Sequence, residues 1–464
     1  MHDKSLLQLS QSWKGILDIP VGGDVVVGDR EKLRSGVMDE LVRVAVFAEG
    51  EDRERALKII HECALQTGCY PASIQPLYDA MGRGDVSGLT TPAINVRGMA
   101  YDTARAVVRT LVKHDVGACI FELARSEMGY AHQSAGEYAS VVLAAAVREG
   151  FEGPVFIQGD HYQVNAKKYA AGGESRATEI GAIRSLIADA IAAGYRNIDI
   201  DASTIVDLSK STVLEQQREN FTVSADLTAH ARALEPEGTT ISIGGEIGEV
   251  GGKNSTPEEL RAYMDGYLQE LKLRSGGGEP MRGPSKISIQ TGTTHGGIPL
   301  PDGSVAKVSI DFEVLRECSR ISRSEYGMAG AVQHGASTLP LEAFDRFPEA
   351  GAAEVHLATD FQNIVLDHPS FPASLRAEMY AWCDRECAGE RKQDQTPEQF
   401  HYKTRKKTWG PFKRQVWDLS DAVRRELRSA LEAKFEMVFL KLGVNGTRET
   451  VRRLVQPLET ARRV

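Results

Sequence analysis

Hydrophobic positions change their spacing twice along this chain and divide it into three zones. In the first zone, up to about residue 86, apolar residues recur at helical spacing, as in the segment Glu51–Leu65. From residue 87 to 370, short apolar runs alternate with longer helical segments. The pattern of residues 371–464 is helical again. We therefore predict an α/β domain over 87–370, flanked by helical extensions over 1–86 and 371–464.

Eight short apolar runs in the middle zone are predicted to be strands. They are Pro92–Val96, Ala118–Leu123, Pro154–Ile157, Asn197–Asp201, Thr240–Ile243, Lys286–Ile289, Ala329–Val332 and Ala353–Leu357. Eight strands with intervening helices predict a (β/α)8 barrel, the TIM barrel. The alternative is an open doubly wound sheet, which would carry a glycine-rich phosphate-binding turn after its first strand. The segment Val96–Tyr101 has one glycine there, so the closed barrel is favoured.

The composition is that of a soluble globular protein. The chain has 464 residues, of which 42% are hydrophobic and 26% are charged. This length and this hydrophobic content are enough to form a large buried core. No apolar run reaches the roughly 18 residues that a membrane helix needs. The first residues also lack the charged segment followed by an apolar segment that is typical of an export signal. Six cysteines are too sparse for a disulfide scaffold. A cytoplasmic protein without membrane partners is therefore predicted, with Cys383 and Cys387 as buried thiols rather than metal ligands.

The C-terminal zone differs from the rest in charge. The whole chain has a net charge of −9, yet residues 401–464 contain 16 Lys and Arg against 7 Asp and Glu. One interpretation is an anion or nucleic-acid patch centred on Lys403–Lys407. The alternative is a set of solvated helical faces, or a seam where the tail docks on the acidic body of its own or a neighbouring subunit. Interleaved aromatic residues favour this alternative, because they are spaced as core anchors would be: Trp409, Phe412, Trp417, Phe435 and Phe439. Nucleic acid is therefore not a predicted partner. A homo-oligomer is predicted, and whether the tail completes an active site across a subunit boundary stays open.

Three predicted strands are followed by a histidine beside glycines. His161 follows the third strand, His295 the sixth and His334 the seventh. Barrel enzymes carry their catalytic groups at the C-terminal ends of the strands. Three imidazoles leave one position of a Zn²⁺ site open for a substrate oxygen, and such an ion can polarise a carbonyl. A divalent metal site is therefore predicted, and among the other eight histidines His356 is the one to re-examine.

The order of these motifs resembles that of the class II, metal-dependent fructose-bisphosphate and tagatose-bisphosphate aldolases. The segments that carry the resemblance lie within about residues 88–365 and are Gln158–His161, Asp201–Ser203, Gly245–Gly248, Gly292–Gly296 and His334–Ser337. The chain is identified as a divergent member of that family with N- and C-terminal extensions.

The resemblance implies Zn²⁺, or another divalent transition metal, held by His161, His295 and His334. Glu246 matches the family's alternate metal-site carboxylate and, with Asp160, is a candidate catalytic residue. Asp160 would exchange a proton with the hydroxyl formed or broken in the aldol step. The implied phosphate- and substrate-binding residues are Gly296, Gly335, Ser337, Thr359 and Asp360. The implied reaction is reversible C–C cleavage of a phosphorylated ketose, as in glycolysis, with a divalent cation offsetting the charge of the enediolate.

Three segments depart from the family pattern. Strand eight reads His356-Leu-Ala-Thr359 where Asn-x-Asp-Thr is usual, and Lys253-Asn254 stand where acidic residues are common. Strand two ends in Glu122–Ser126, where a shorter, serine-containing end is common. Two alternatives therefore stay open. One is a metal-dependent sugar-phosphate isomerase or epimerase that uses the same enediolate, and the other is a sugar-phosphate-binding barrel without turnover.

Overall fold

A computed structural model describes residues 5–20, 24–248, 253–292 and 310–457. Within these ranges eight parallel strands form a closed barrel, each beside its neighbour in chain order. The strands are β1 (Thr91–Asn95), β2 (Ile120–Ala124), β3 (Gly153–Gln163), β4 (Asn197–Asp201), β5 (Ser242–Glu246), β6 (Lys286–Ile289), β7 (Ala331–Gln333) and β8 (Glu354–Leu357). The barrel closes where Glu354 of β8 pairs with Thr91 of β1. The predicted (β/α)8 fold is confirmed, and all eight predicted strands are present.

Helices surround the barrel between its strands. They are Ala100–Lys113, Arg125–Tyr130, Ala135–Arg148, Ala166–Ala170, Gly173–Ala192, Val213–Ala233, Pro257–Arg274, Phe312–Tyr326, Arg346–Ala350 and Thr359–Asp367. Local sequence sets several of their ends. Thr256 and Glu259 form a capping box at the start of Pro257–Arg274, where proline occupies the first turn.

The N-terminal extension packs its helices against the barrel helix Ala135–Arg148. The helices are Leu6–Ser12, Arg30–Lys32, a π-helical turn Leu33–Val37, Met38–Phe47, Gly50–Gln66 and Gln75–Arg83. Three short strands join them. Leu17–Asp18 pairs with Val26–Val27, and Cys69–Pro71 pairs in parallel with the start of β3.

The C-terminal extension is helical, as predicted, and packs against the barrel of its own chain. Its helices are Ala373–Glu386, Pro397–Thr404, Lys413–Trp417, Asp421–Lys441 and Arg448–Leu454, with 3-10 turns at Ala388–Glu390 and Arg405–Thr408. Four of the predicted aromatic anchors are buried, and Trp417 stacks on Tyr101 of the barrel with ring centroids 5.8 Å apart. The ion pairs that join extension and barrel include Arg428–Asp102, Lys413–Glu137, Lys434–Asp360 and Lys441–Asp345. None of the described helices combines the length and apolar character needed to span a bilayer.

Candidate metal centre and substrate cavity

An irregularity near the end of β3 brings two adjacent polar residues to the mouth of the barrel. The pairing of β3 with β4 shifts register between Gly159 and Tyr162, which marks a β-bulge. His161, inside the bulge, has a φ of +43°, a left-handed conformation that non-glycine residues rarely adopt. Neighbours on a regular strand point to opposite faces, whereas here both Asp160 and His161 line the same cavity.

Two of the predicted metal ligands face each other across this mouth. The Nε2 atom of His161 lies 3.0 Å from the Nδ1 atom of His334. The remaining ring nitrogen of each histidine contacts an outer partner, Asp201 at 3.0 Å for His161 and the Ser288 hydroxyl at 3.0 Å for His334. Metal-binding histidines are typically held in this way, with the second nitrogen engaged by a carboxylate or another polar group.

These contacts fit a small divalent cation. Zn–N bonds of about 2.0–2.1 Å place two ligand nitrogens roughly 3.3 Å apart in a tetrahedral site, close to the separation of His161 and His334. Glu246 is a second carboxylate at this site, since its Oε2 lies 3.1 Å from Nδ1 of His161 and it clusters with both histidines. His295 and Gly296 lie outside the described residues.

Buried carboxylates give this site a strong negative potential. Burial tends to raise the pKa of Asp201, but the contact with His161 and the donors from Ser203 and Gln163 hold that pKa at about 2. Burial raises the pKa of Glu246 to about 7, and the charge of Asp201 adds to the effect. Burial would lower the pKa of His161, but the charges of Asp160 and Glu246 raise it well above its usual value. This concentration of negative charge favours a cation at the mouth.

Three of the predicted phosphate-binding residues line the same cavity. Gly335, Ser337 and Thr359 line the cavity together with the two histidines. The Ser337 hydroxyl accepts a hydrogen bond from the backbone amide of Ala358 at 2.6 Å, and Arg97 donates to the Thr359 hydroxyl at 3.2 Å.

Asp360 is placed differently from these residues. Its carboxylate pairs with Lys434 of the C-terminal extension at 2.7 Å, and it is not part of the cavity lining. Lys253, at the position of the missing loop acid, pairs with the capping residue Glu259 at 3.3 Å.

The cavity has a volume of about 850 Å³, and the C-terminal extension of the same chain forms one of its walls. The wall residues are Glu390, Tyr402, Lys403, Lys406 and Lys407. Sequence analysis identified Lys403–Lys407 as a basic cluster but could not place it, because nothing local to the cluster indicates which surface it faces. The surface that the basic cluster faces is set by how the C-terminal extension packs on the barrel, through contacts between residues far apart in the sequence.

Two cations of this wall form no ion pair with any described residue. Lys407 pairs with Glu390, and the nearby Arg97 pairs with Glu127 at 2.8 Å. In the part of the chain that the structure describes, neither Lys403 nor Lys406 forms an ion pair. Burial lowers the pKa of Lys406, and the charge of Arg97 lowers it further. The wall therefore carries an excess of positive charge directed at the cavity.

Beneath the histidines lies a buried ionic cluster that sequence analysis missed, apart from singling out His356. Its charged members are Glu122, Asp199, Lys286, Glu354 and His356, all within the strands and all at least nine-tenths buried. A signal was present, because all five are ionisable residues inside segments that the sequence predicts to be strands of the barrel. Charged residues are almost never fully buried unless they are paired.

Comparisons with known proteins agree with the (β/α)8 barrel. The family model of class II fructose-bisphosphate aldolase matches residues 79–432. The chain belongs to that family, and family membership supports an aldolase-type enzyme. No curated protein sequence matches the chain.

Solved structures with the same fold share little sequence with this chain. A probable tagatose 6 phosphate kinase from Sinorhizobium meliloti 1021 is 15% identical, with a TM-score of 0.52 and coverage of 78% of this chain and 93% of that one. The fructose-bisphosphate aldolase from Campylobacter jejuni is 18% identical, with a TM-score of 0.47 and coverage of 82% and 96%. A putative fructose-1,6-biphosphate aldolase from Coccidioides immitis is 20% identical, with a TM-score of 0.46 and coverage of 80% and 96%.

Proposed function

We propose that this protein is a metal-dependent aldolase that reversibly cleaves a C–C bond of a phosphorylated ketose. The observation that carries the proposal is the facing pair of ring nitrogens on His161 and His334, 3.0 Å apart at the mouth of an open cavity. A divalent cation bound there, with Zn²⁺ as the first candidate, supplies a Lewis acid that stabilises negative charge on substrate oxygens. His295 is the proposed third ligand, and Glu246 an alternate one.

Asp160 is the residue proposed to move the proton. It is 5% exposed and lines the cavity beside His161. Aldol cleavage removes a proton from the hydroxyl that becomes a carbonyl, and a carboxylate at the mouth can accept that proton and return it in the reverse reaction.

The anionic character of the substrate is supported by the lining of the cavity. Gly335, Ser337 and Thr359 offer backbone and hydroxyl groups to a phosphate. The ammonium groups of Lys403 and Lys406 line the same cavity and form no ion pair among the described residues. Together these groups fit a phosphorylated ketose of the bisphosphate type. A cytoplasmic location, a role in carbohydrate metabolism such as glycolysis, and a homo-oligomeric state complete the proposal.

The deciding experiment is an aldol-cleavage assay over a panel of ketose mono- and bisphosphates. Wild type and His334→Ala are compared before and after chelation, with the exposed His230→Ala as the matched control. Cleavage should yield two smaller carbonyl compounds, and both chelation and His334→Ala should abolish it. Products with an unchanged carbon number would identify an isomerase or epimerase. Binding without turnover would identify a non-catalytic barrel, and cleavage that survives both treatments would contradict the metal mechanism.

A further inference from the structure

His356 on β8 lies directly against one of the proposed metal ligands. The ring centroids of His356 and His334 are 3.9 Å apart, with 32° between the ring planes. His356 is 4% exposed, so its ring is enclosed by the barrel and by His334 itself. The His334 ring therefore has a fixed support on one face, and residue 356 provides it.

Both ring nitrogens of His356 are engaged by carboxylates. Its Nδ1 lies 2.8 Å from Glu122 and 3.4 Å from Asp160, and its Nε2 lies 2.7 Å from Glu354. The group Glu122, Glu354 and His356 has the composition and spacing of a metal site. Its contacts indicate another role, because the carboxylate of Glu354 is already paired with the buried ammonium group of Lys286.

Glu354 anchors the arrangement from below. Its carboxylate accepts hydrogen bonds from Lys286 at 2.5 Å and Gln158 at 2.8 Å, and from the Tyr78 hydroxyl. Lys286 in turn contacts Asp199 at 3.0 Å. The carboxylate oxygens of Glu354 therefore already accept hydrogen bonds from donors of this chain. We take the ammonium group of Lys286 and the imidazole of His356, rather than a second metal ion, as the cations that balance the buried carboxylates.

We propose that His356 is a positioning residue for the metal centre: held between Glu122 and Glu354, its ring fixes the plane of His334 and the place of Asp160 at the mouth. The inference rests on the proposed function, because it assigns His334 and Asp160 their roles. It explains the histidine on β8, because a side chain at position 356 contacts both His334, the proposed metal ligand, and Asp160, the proposed proton-transfer residue.

The test compares wild type with His356→Leu and with the more conservative His356→Asn, and uses the exposed His230→Asn as the matched control. The first readout is the visible absorption spectrum of the Co²⁺-loaded protein, which reports the geometry of the ligands. The second is Zn²⁺ affinity from competition with a chelator. The third is the separate effect on kcat and KM with a ketose bisphosphate.

For His356→Leu we expect a changed Co²⁺ spectrum, about 10- to 100-fold weaker Zn²⁺ binding, and a fall in kcat that exceeds the change in KM. His356→Asn should keep part of each property, and His230→Asn should match wild type. A folded His356→Leu protein with wild-type spectrum, affinity and kcat overturns the inference. If His356→Leu does not fold, Glu122→Gln decides, because it removes one side of the clamp at nearly constant volume and should alter the same spectrum.

The failure of this inference is distinguishable from the failure of the proposed function. Wild type that binds Co²⁺ but cleaves no ketose phosphate contradicts the aldolase proposal, and the spectra of the variants still decide the role of His356. Wild type that cleaves the substrate, with variants that match it in all three readouts, contradicts the positioning role alone.

Discussion

The Nε2 atom of His161 and the Nδ1 atom of His334 approach to 3.0 Å, although His161 lies in β3 and His334 follows β7, on a different side of the barrel. Each imidazole is oriented by a polar group behind it, Asp201 or Ser288. The pair is therefore set in place before any cation binds, and a preorganised pair loses little conformational freedom on binding.

Asp160→Asn should separate proton transfer from metal binding. The substitution keeps the shape of the side chain but removes its basicity, so kcat for cleavage should fall by about 10²- to 10⁴-fold. Zn²⁺ content, measured by elemental analysis, should stay near that of wild type. Asp226→Asn, on an outer helix, serves as the control. A variant with near-normal kcat would rule out Asp160 as the acid–base group.

Lys406→Met should weaken binding of a substrate with two phosphates. We expect KM for a ketose bisphosphate to rise by about 10-fold, which corresponds to roughly 1.4 kcal/mol, because an ammonium that faces the cavity is lost. The rise in KM should be smaller for a ketose monophosphate that lacks the phosphate group near the C-terminal extension. Lys392→Met, an exposed lysine of the same extension outside the cavity, is the matched control. Equal KM values for Lys406→Met and wild type would contradict this assignment of the wall.

Gly159→Ala should damage both the fold and the metal centre. A Cβ at this position would lie 2.4 Å from the Tyr162 ring, which is fully buried. The free energy of unfolding should fall by about 1–3 kcal/mol, measured by urea denaturation. Zn²⁺ affinity should fall with it, because the bulge positions His161. Gly181→Ala offers a contrast, since this exposed helical glycine has no neighbour within 4 Å and its replacement should be neutral or stabilising.

The metal-free protein should lose stability in acid partly through Asp201. Its pKa of about 2 in the folded protein lies below the ordinary value of about 3.9 in an unfolded chain. The resulting stabilisation is complete above about pH 4 and is lost as the pH falls toward 2. Linkage gives a loss of about 1 kcal/mol between pH 5 and pH 3.

Asp201→Asn tests that contribution. Urea unfolding at a series of pH values should show a shallower decline for the variant than for wild type. Parallel curves for the two proteins would contradict the assigned contribution.

The strands were predictable because their apolar runs and helical spacers have the periods of βα units. The predicted bounds of β4 and β6 match the structure residue for residue, at Asn197–Asp201 and Lys286–Ile289. β3 was predicted to end at Ile157 but continues to Gln163. The continuation contains glycine and charged residues, which are poor strand formers by composition, and tertiary pairing with β2 and β4 holds them in the sheet.

The candidate site was only partly predictable. His161 and His334 stand at strand ends, where the fold itself brings side chains together. The sequence could not show that Asp360 pairs with Lys434, or that Lys406 faces the cavity, because both contacts depend on how a distant extension packs on the barrel. Likewise, the contact of His356 with His334 arises between neighbouring strands whose register cannot be derived from apolar spacing.

The left-handed backbone at His161 would set folding and the proposed metal binding in opposition at one residue. Selection for a durable fold alone would favour glycine or asparagine at such a position, since both tolerate that conformation more readily. An imidazole there costs conformational energy, which a cation bound at the proposed site would offset. Thermal tolerance of this protein should therefore depend on its metal load to an unusual degree, and directed evolution for heat resistance without metal should readily discard His161.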